Sequence, residues 1–114
     1  GITKTEGQST SSIILMEDTQ KAQTVDEIRL KIREFATERM WARFHTPRNL
    51  LLALMGELGE LAELFQFRGD GEDSQTATMT KEELDKVGQE IADVSIYLLR
   101  LADVCRVRIG NYVV

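Results

Sequence analysis

Apolar residues recur along the chain at helical spacing in three stretches. Ile28, Ile32, Phe35 and Ala36 form the first, Leu50, Leu54, Leu61 and Leu64 mark the second, and Leu84, Val87, Ile91, Val94, Leu98, Leu101 and Cys105 carry the third. Each stretch opens on an N-terminal signal. Thr24-Val25-Asp26-Glu27 and Thr80-Lys81-Glu82-Glu83 have the form of a capping box, in which a threonine hydroxyl and a glutamate side chain each satisfy the other residue's backbone N–H. Pro47 takes the favoured first-turn position of the second stretch and holds Thr46 outside the helical region. The pattern predicts one helix from Thr24 to about Arg43, a second from Pro47 to about Phe67, and a third from Thr80 towards Gly110. Gly69-Asp70-Gly71 stops the second helix, and residues 70–79 are polar and aperiodic, hence a loop. Residues 1–23 are rich in Ser, Thr and Gln without any period, which predicts a flexible tail. No alternating strand pattern and no repeat competes. The fold class is all-α, with residues 24–114 as a single helical-bundle domain.

The second helix is apolar over more than half its circumference, and three helices of this kind cannot cover one another's apolar surface. The bundle is therefore expected to be completed by association into a homo-oligomer, at least a dimer.

Composition narrows the function. The 114 residues carry 14 Lys+Arg against 19 Asp+Glu, a formal charge of -5, which disfavours a nucleic acid polymer or an anionic membrane as partner. A phosphorylated ligand would need imported positive charge, most simply a divalent cation. Cys105 is the single cysteine, so no internal disulfide forms and a reducing, cytoplasmic location is expected. The apolar run 13–16 is too short for a signal peptide or a membrane span, and the chain reads as soluble.

Acidic residues sit inside the apolar arcs. At ~100° per residue, Leu50, Leu54, Leu61 and Leu64 fall within roughly 60° of Glu57, with Glu60 at the edge of that face and Glu63 further towards solvent. On the third helix Val87, Val94, Tyr97 and Leu101 fall within about 60° of Glu90, with Asp93 at the edge. Two helices thus each aim an i,i+3 acidic pair at the face that should meet a partner helix. Converging ionised carboxylates repel one another and lose hydration. A hard divalent ion would compensate, and Mg²⁺ suits an all-oxygen donor set lacking clustered His or Cys. The plain alternative is a set of salt bridges to Arg48, Arg68, Lys86 or Arg100. Glu63 is divided between support for the site and ordinary surface charge.

"ELGE" (Glu57 to Glu60) and "EIAD" (Glu90 to Asp93) resemble the signature of the MazG-like all-α nucleoside triphosphate pyrophosphohydrolases. "FATERMWARFHTPRNLLLALMGELGELAELFQF" followed by "GQEIADVSIYLLRLADVC" is similar to the eukaryotic dCTP pyrophosphatase branch. The resemblance implies that Glu57, Glu60, Glu90 and Asp93 hold catalytic Mg²⁺, and that Trp41, His45, Asn49, Phe67 and Tyr97 bind the nucleotide. It also implies a homotetramer. Phe67 stands where that branch usually has tryptophan, and the branch continues past the equivalent of Val114 into a further helix that this sequence does not show. Apart from the resemblance, Trp41 and Tyr97 are ordinary core or interface aromatics, His45 a loop side chain, and Asn49 a first-turn residue bonded to backbone.

The expected activity is Mg²⁺-dependent hydrolysis of dCTP, or a modified dCTP, to dCMP and pyrophosphate, in nucleotide-pool sanitation. The rivals are the same chemistry on dUTP or an oxidised purine nucleotide, and a non-catalytic helical oligomerisation domain.

Overall fold

A computed structural model describes residues 23–71 and 78–113. Most of the tail expected over residues 1–23 and the middle of the loop expected over 70–79 lie outside the described residues. Among the described residues three α-helices follow one another: α1 (Val25–Glu38), α2 (Pro47–Glu63) and α3 (Lys81–Val104). Single 3₁₀ turns lie at Ala42–Phe44 and Ile109–Asn111. There is no strand among the described residues, and no described helix is long and apolar enough to cross a membrane.

The threonines start all three helices. Thr24 Oγ1 accepts from the Glu27 N–H at 3.1 Å, Thr46 Oγ1 from Asn49 at 3.2 Å, and Thr80 Oγ1 from Glu83 at 3.1 Å. Only Thr80 completes the reciprocal half, its N–H donating to Glu83 Oε1 at 3.2 Å.

The helix ends come earlier than periodicity suggests. α1 stops at Glu38 rather than near Arg43, and α3 at Val104 rather than Gly110. Both end in a Schellman closure. Trp41 N–H donates to Ala36 O and Met40 N–H to Thr37 O; Val107 N–H donates to Ala102 O and Arg106 N–H to Asp103 O. The reversing residues Met40 and Arg106 are left-handed, each with φ 57°. Neither is glycine, so the usual stop signal is missing from the sequence. The first closure brings the Trp41 ring onto Phe35, with centroids 5.9 Å apart. α2 ends at Glu63 and runs through turns to Phe67.

A non-glycine residue in the left-handed region costs about 1–2 kcal/mol. Arg106 is exposed. Arg106→Gly should therefore raise the unfolding free energy by about 1 kcal/mol, net of glycine's greater entropy loss, shifting the urea midpoint upward. A lower midpoint would show that the Arg106 side chain contributes more than its backbone costs.

α3 is the spine. On one side Leu50 and Leu54 of α2 pack with Tyr97, flanked by Ala53, Val94, Leu101 and Val104. On another, Ile32 of α1 packs with Leu99, flanked by Ile28, Ile96 and Ile109. These are two small cores, and much apolar surface stays outside both. Leu51, Leu52, Met55 and Leu58 of α2, with Leu84, Ile91 and Leu98 of α3, are exposed.

A buried charge cluster joins α1 to α3. The Asp103 carboxylate accepts from Arg29 (2.6 Å), from Arg33 through two nitrogens (Nε at 2.9 Å), and from Arg100 (2.9 Å). On the helical wheel Asp103 shares the α1-facing side of α3 with Ile96 and Leu99, roughly opposite Glu90.

Candidate active site

The two principal acidic stretches meet across the α2–α3 contact. Glu57, Glu90 and Asp93 are buried, and each offers a carboxylate oxygen within 4.8 Å of the others. Glu57 is only 2% exposed, as its central place on the apolar arc of α2 requires. Glu60 is half-buried one turn further on and falls outside this three-carboxylate set. Glu63, at the last position of α2, is exposed and reads as surface charge. Of the proposed salt-bridge cations, Arg100 is committed to Asp103 and His45.

Three closely spaced carboxylates with no nitrogen or sulfur donor form a set matched to a hard divalent ion. Glu57, Glu90 and Asp93 fit Mg²⁺ by number, charge and donor type, and poorly fit zinc.

A cavity of about 240 Å³ lies further along the same helix pair, lined by Trp41, Phe44, His45, Asn49, Leu50, Ala53 and Tyr97. Asp93 is one turn of α3 from Tyr97, about 6 Å along the axis. Four of the five expected nucleotide-binding residues therefore come together: Trp41, His45, Asn49 and Tyr97. Trp41 and His45 are carried there by the turn that follows the α1 closure, their rings 6.5 Å apart and tilted by 50°. The Asn49 Nδ2 donates to Phe44 O at 3.2 Å, so the plain reading of a first-turn asparagine holds for that group.

Phe67 is the exception. It projects from the turns after α2, is 93% exposed, and is not part of this cavity. The cause is the early end of α2, after which the chain leaves the helix face that Phe67 would otherwise have shared. Phe44, Leu50 and Ala53 complete the lining without having been singled out, since each reads in sequence as ordinary apolar packing.

Burial, and then the positive charge of Arg100, lower the pKa of His45 below the ordinary histidine value and keep the ring neutral. Its Nδ1 accepts from Arg100 Nε at 3.0 Å.

No family model matches the chain. It is 52% identical over 84 residues to dCTP pyrophosphatase 1 of Homo sapiens, covering 74% of this chain and 49% of the relative. It is 50% identical over 91 residues to dCTP pyrophosphatase 1 of Rattus norvegicus, covering 80% and 53%. The chain thus spans about half the length of the curated relatives it matches. A solved pyrophosphatase of Archaeoglobus fulgidus superposes with a TM-score of 0.68 at 33% identity, over 82% of this chain and 84% of that one.

Proposed function

We propose, from the premise that the chain belongs to the MazG-like family of all-α pyrophosphatases, that it hydrolyses dCTP or a modified dCTP to dCMP and pyrophosphate with Mg²⁺. The observation that carries the proposal is the pairing of a buried three-carboxylate cluster with an aromatic cavity one turn away on the same two helices. That spacing suits a nucleotide whose base enters the cavity and whose phosphates reach the carboxylates.

Glu57, Glu90 and Asp93 would hold the cation, with Glu60 supporting from the edge of the cluster. A divalent ion held by these carboxylates would supply charge neutralisation for the triphosphate and make the attacking water more acidic. Cleavage adds the water oxygen to the α-phosphorus and breaks the bond to the bridging oxygen, which leaves with pyrophosphate. The water's proton passes to a carboxylate, for which the buried Glu57 and Glu90, central on their apolar arcs, are the candidates. Trp41 and Tyr97 confine the base, and the mostly apolar lining excludes water from it.

The test is pyrophosphate release from a panel of nucleotides, with and without Mg²⁺. A narrow cavity walled by Trp41, His45 and Tyr97 should take a pyrimidine and reject a purine on size. dCTP and 5-substituted dCTP should turn over ahead of dUTP, because a site satisfying the cytosine edge leaves polar groups unpaired with uracil. Equal kcat/KM for dCTP and dATP would overturn the base-pocket assignment. A preference for dUTP would keep the chemistry and change the substrate.

The exposed leucines of α2 and α3 support association of residues 24–114 into a homo-oligomer, a tetramer by family likeness. Light scattering should return a multiple of 12.9 kDa at micromolar concentration. A stable monomer would contradict it. Nucleotide-pool sanitation in the cytoplasm is the role that fits a dCTP-consuming enzyme with a lone free cysteine.

A further inference from the structure

A line of polar groups crosses α3 from the α1 side to the cavity wall. Asp103 anchors Arg100 at 2.9 Å, and the Nε of the same guanidinium donates to His45 Nδ1 at 3.0 Å. On the helical wheel Arg100 lies between the α1-facing and α2-facing sides of α3, the position from which one planar group can reach both. A guanidinium only donates, so His45 Nδ1 must accept, and in the neutral ring the proton then resides on Nε2. That Nε2 is buried and has no hydrogen-bond partner among the described residues. A buried N–H without an acceptor is costly, and His45 lines the cavity together with Trp41 and Tyr97.

We propose that Arg100 is a positioning residue that, anchored by Asp103, locks His45 in the Nε2–H tautomer so that this N–H donates to an acceptor atom of the bound base. The inference rests on the nucleotide reading of the cavity. The acceptor is a carbonyl oxygen or an unprotonated ring nitrogen, both of which a cytosine presents. Burial and the Arg100 charge keep His45 neutral, so the ring offers one donor rather than two. Lysine cannot replace this link, since its ammonium is a single point and not a planar fork that spans Asp103 and His45.

His45 is the only histidine in the chain, so ¹⁵N spectra of histidine-labelled protein, prepared without a histidine tag, report this ring alone. The wild type should show a protonated Nε2 and an unprotonated Nδ1. In Arg100→Lys the ring should become a mixture of tautomers, and KM for dCTP should rise about tenfold while kcat changes far less, the pattern of lost uniform binding. A wild-type ring protonated on Nδ1, or an Arg100→Lys protein with unchanged ring signals or unchanged KM, would overturn the proposal. If Arg100→Lys loses its helical circular dichroism, the wild type decides alone: the Nε2 proton signal should shift when a non-hydrolysable dCTP analogue binds, and no shift on binding overturns the proposal. A wild type that hydrolyses no nucleotide removes the pyrophosphatase reading and this inference with it. An active wild type with an indifferent Arg100→Lys removes this inference only.

Discussion

Asp93→Asn and Glu57→Gln are each expected to lower kcat for dCTP at least about a thousandfold, because each removes a charged oxygen from the set that would hold the cation. The same substitutions should leave helical content unchanged and stabilise the metal-free protein. Three carboxylates that each bring an oxygen within 4.8 Å of the others repel when ionised, and neutralising one relieves that repulsion. The gain should be on the order of 1 kcal/mol, an increase in Tm of roughly 4–8 °C for a domain of this size. Glu60→Gln, outside the set, should cost less activity. Near wild-type turnover in Asp93→Asn would remove the proposed site. Loss of helix together with activity would show instead that these acids serve as structural salt bridges.

Asp103→Ala should be the most destabilising single change away from the carboxylate cluster. It leaves Arg29, Arg33 and Arg100 facing one another, with Arg29 and Arg100 largely out of water. Removing one partner from a buried ion cluster costs about 3–5 kcal/mol, a large part of the 5–15 kcal/mol typical of a whole domain. Urea unfolding should show a much lower midpoint with little change in slope. Acid titration gives a second readout. Hydrogen bonds from Arg33, opposed by burial and reinforced by Arg29, hold the Asp103 carboxyl at about 2, against 3.8 for an unperturbed aspartate. Its folded pKa is depressed, so its contribution is complete above about pH 4 and is lost as pH falls towards 2. The loss is on the order of 2 kcal/mol, and it should be missing from the acid limb of Asp103→Asn. An unchanged acid limb in that variant would mean that other carboxylates govern acid unfolding.

The helix starts were legible because Thr24, Thr46 and Thr80 act through local hydrogen bonds that neighbouring residues decide. The burial of Glu57 and Glu90 was legible because a helical wheel fixes where they point once the apolar arc is known. The helix ends were not, since Met40 and Arg106 take the left-handed turn without the glycine that marks it. Nor was the Asp103 cluster, which depends on how α1 docks against α3. Its only sequence trace is an Arg-x-x-Asp, Arg100 to Asp103, close to the face that carries Ile96 and Leu99. The place of Phe67 outside the cavity was not legible for the first of these reasons. A helix drawn through residue 67 places its ring beside the bundle, and the real end at Glu63 turns it into solvent.

The most direct test of the carboxylate site is calorimetric titration of Mg²⁺ into the protein saturated with a non-hydrolysable dCTP analogue, run in parallel on wild type and Asp93→Asn. Saturable binding to the wild type, abolished or weakened at least about tenfold in the variant, is the predicted result. Equal binding by both proteins, or none by the wild type, would contradict a divalent-cation site built from Glu57, Glu90 and Asp93.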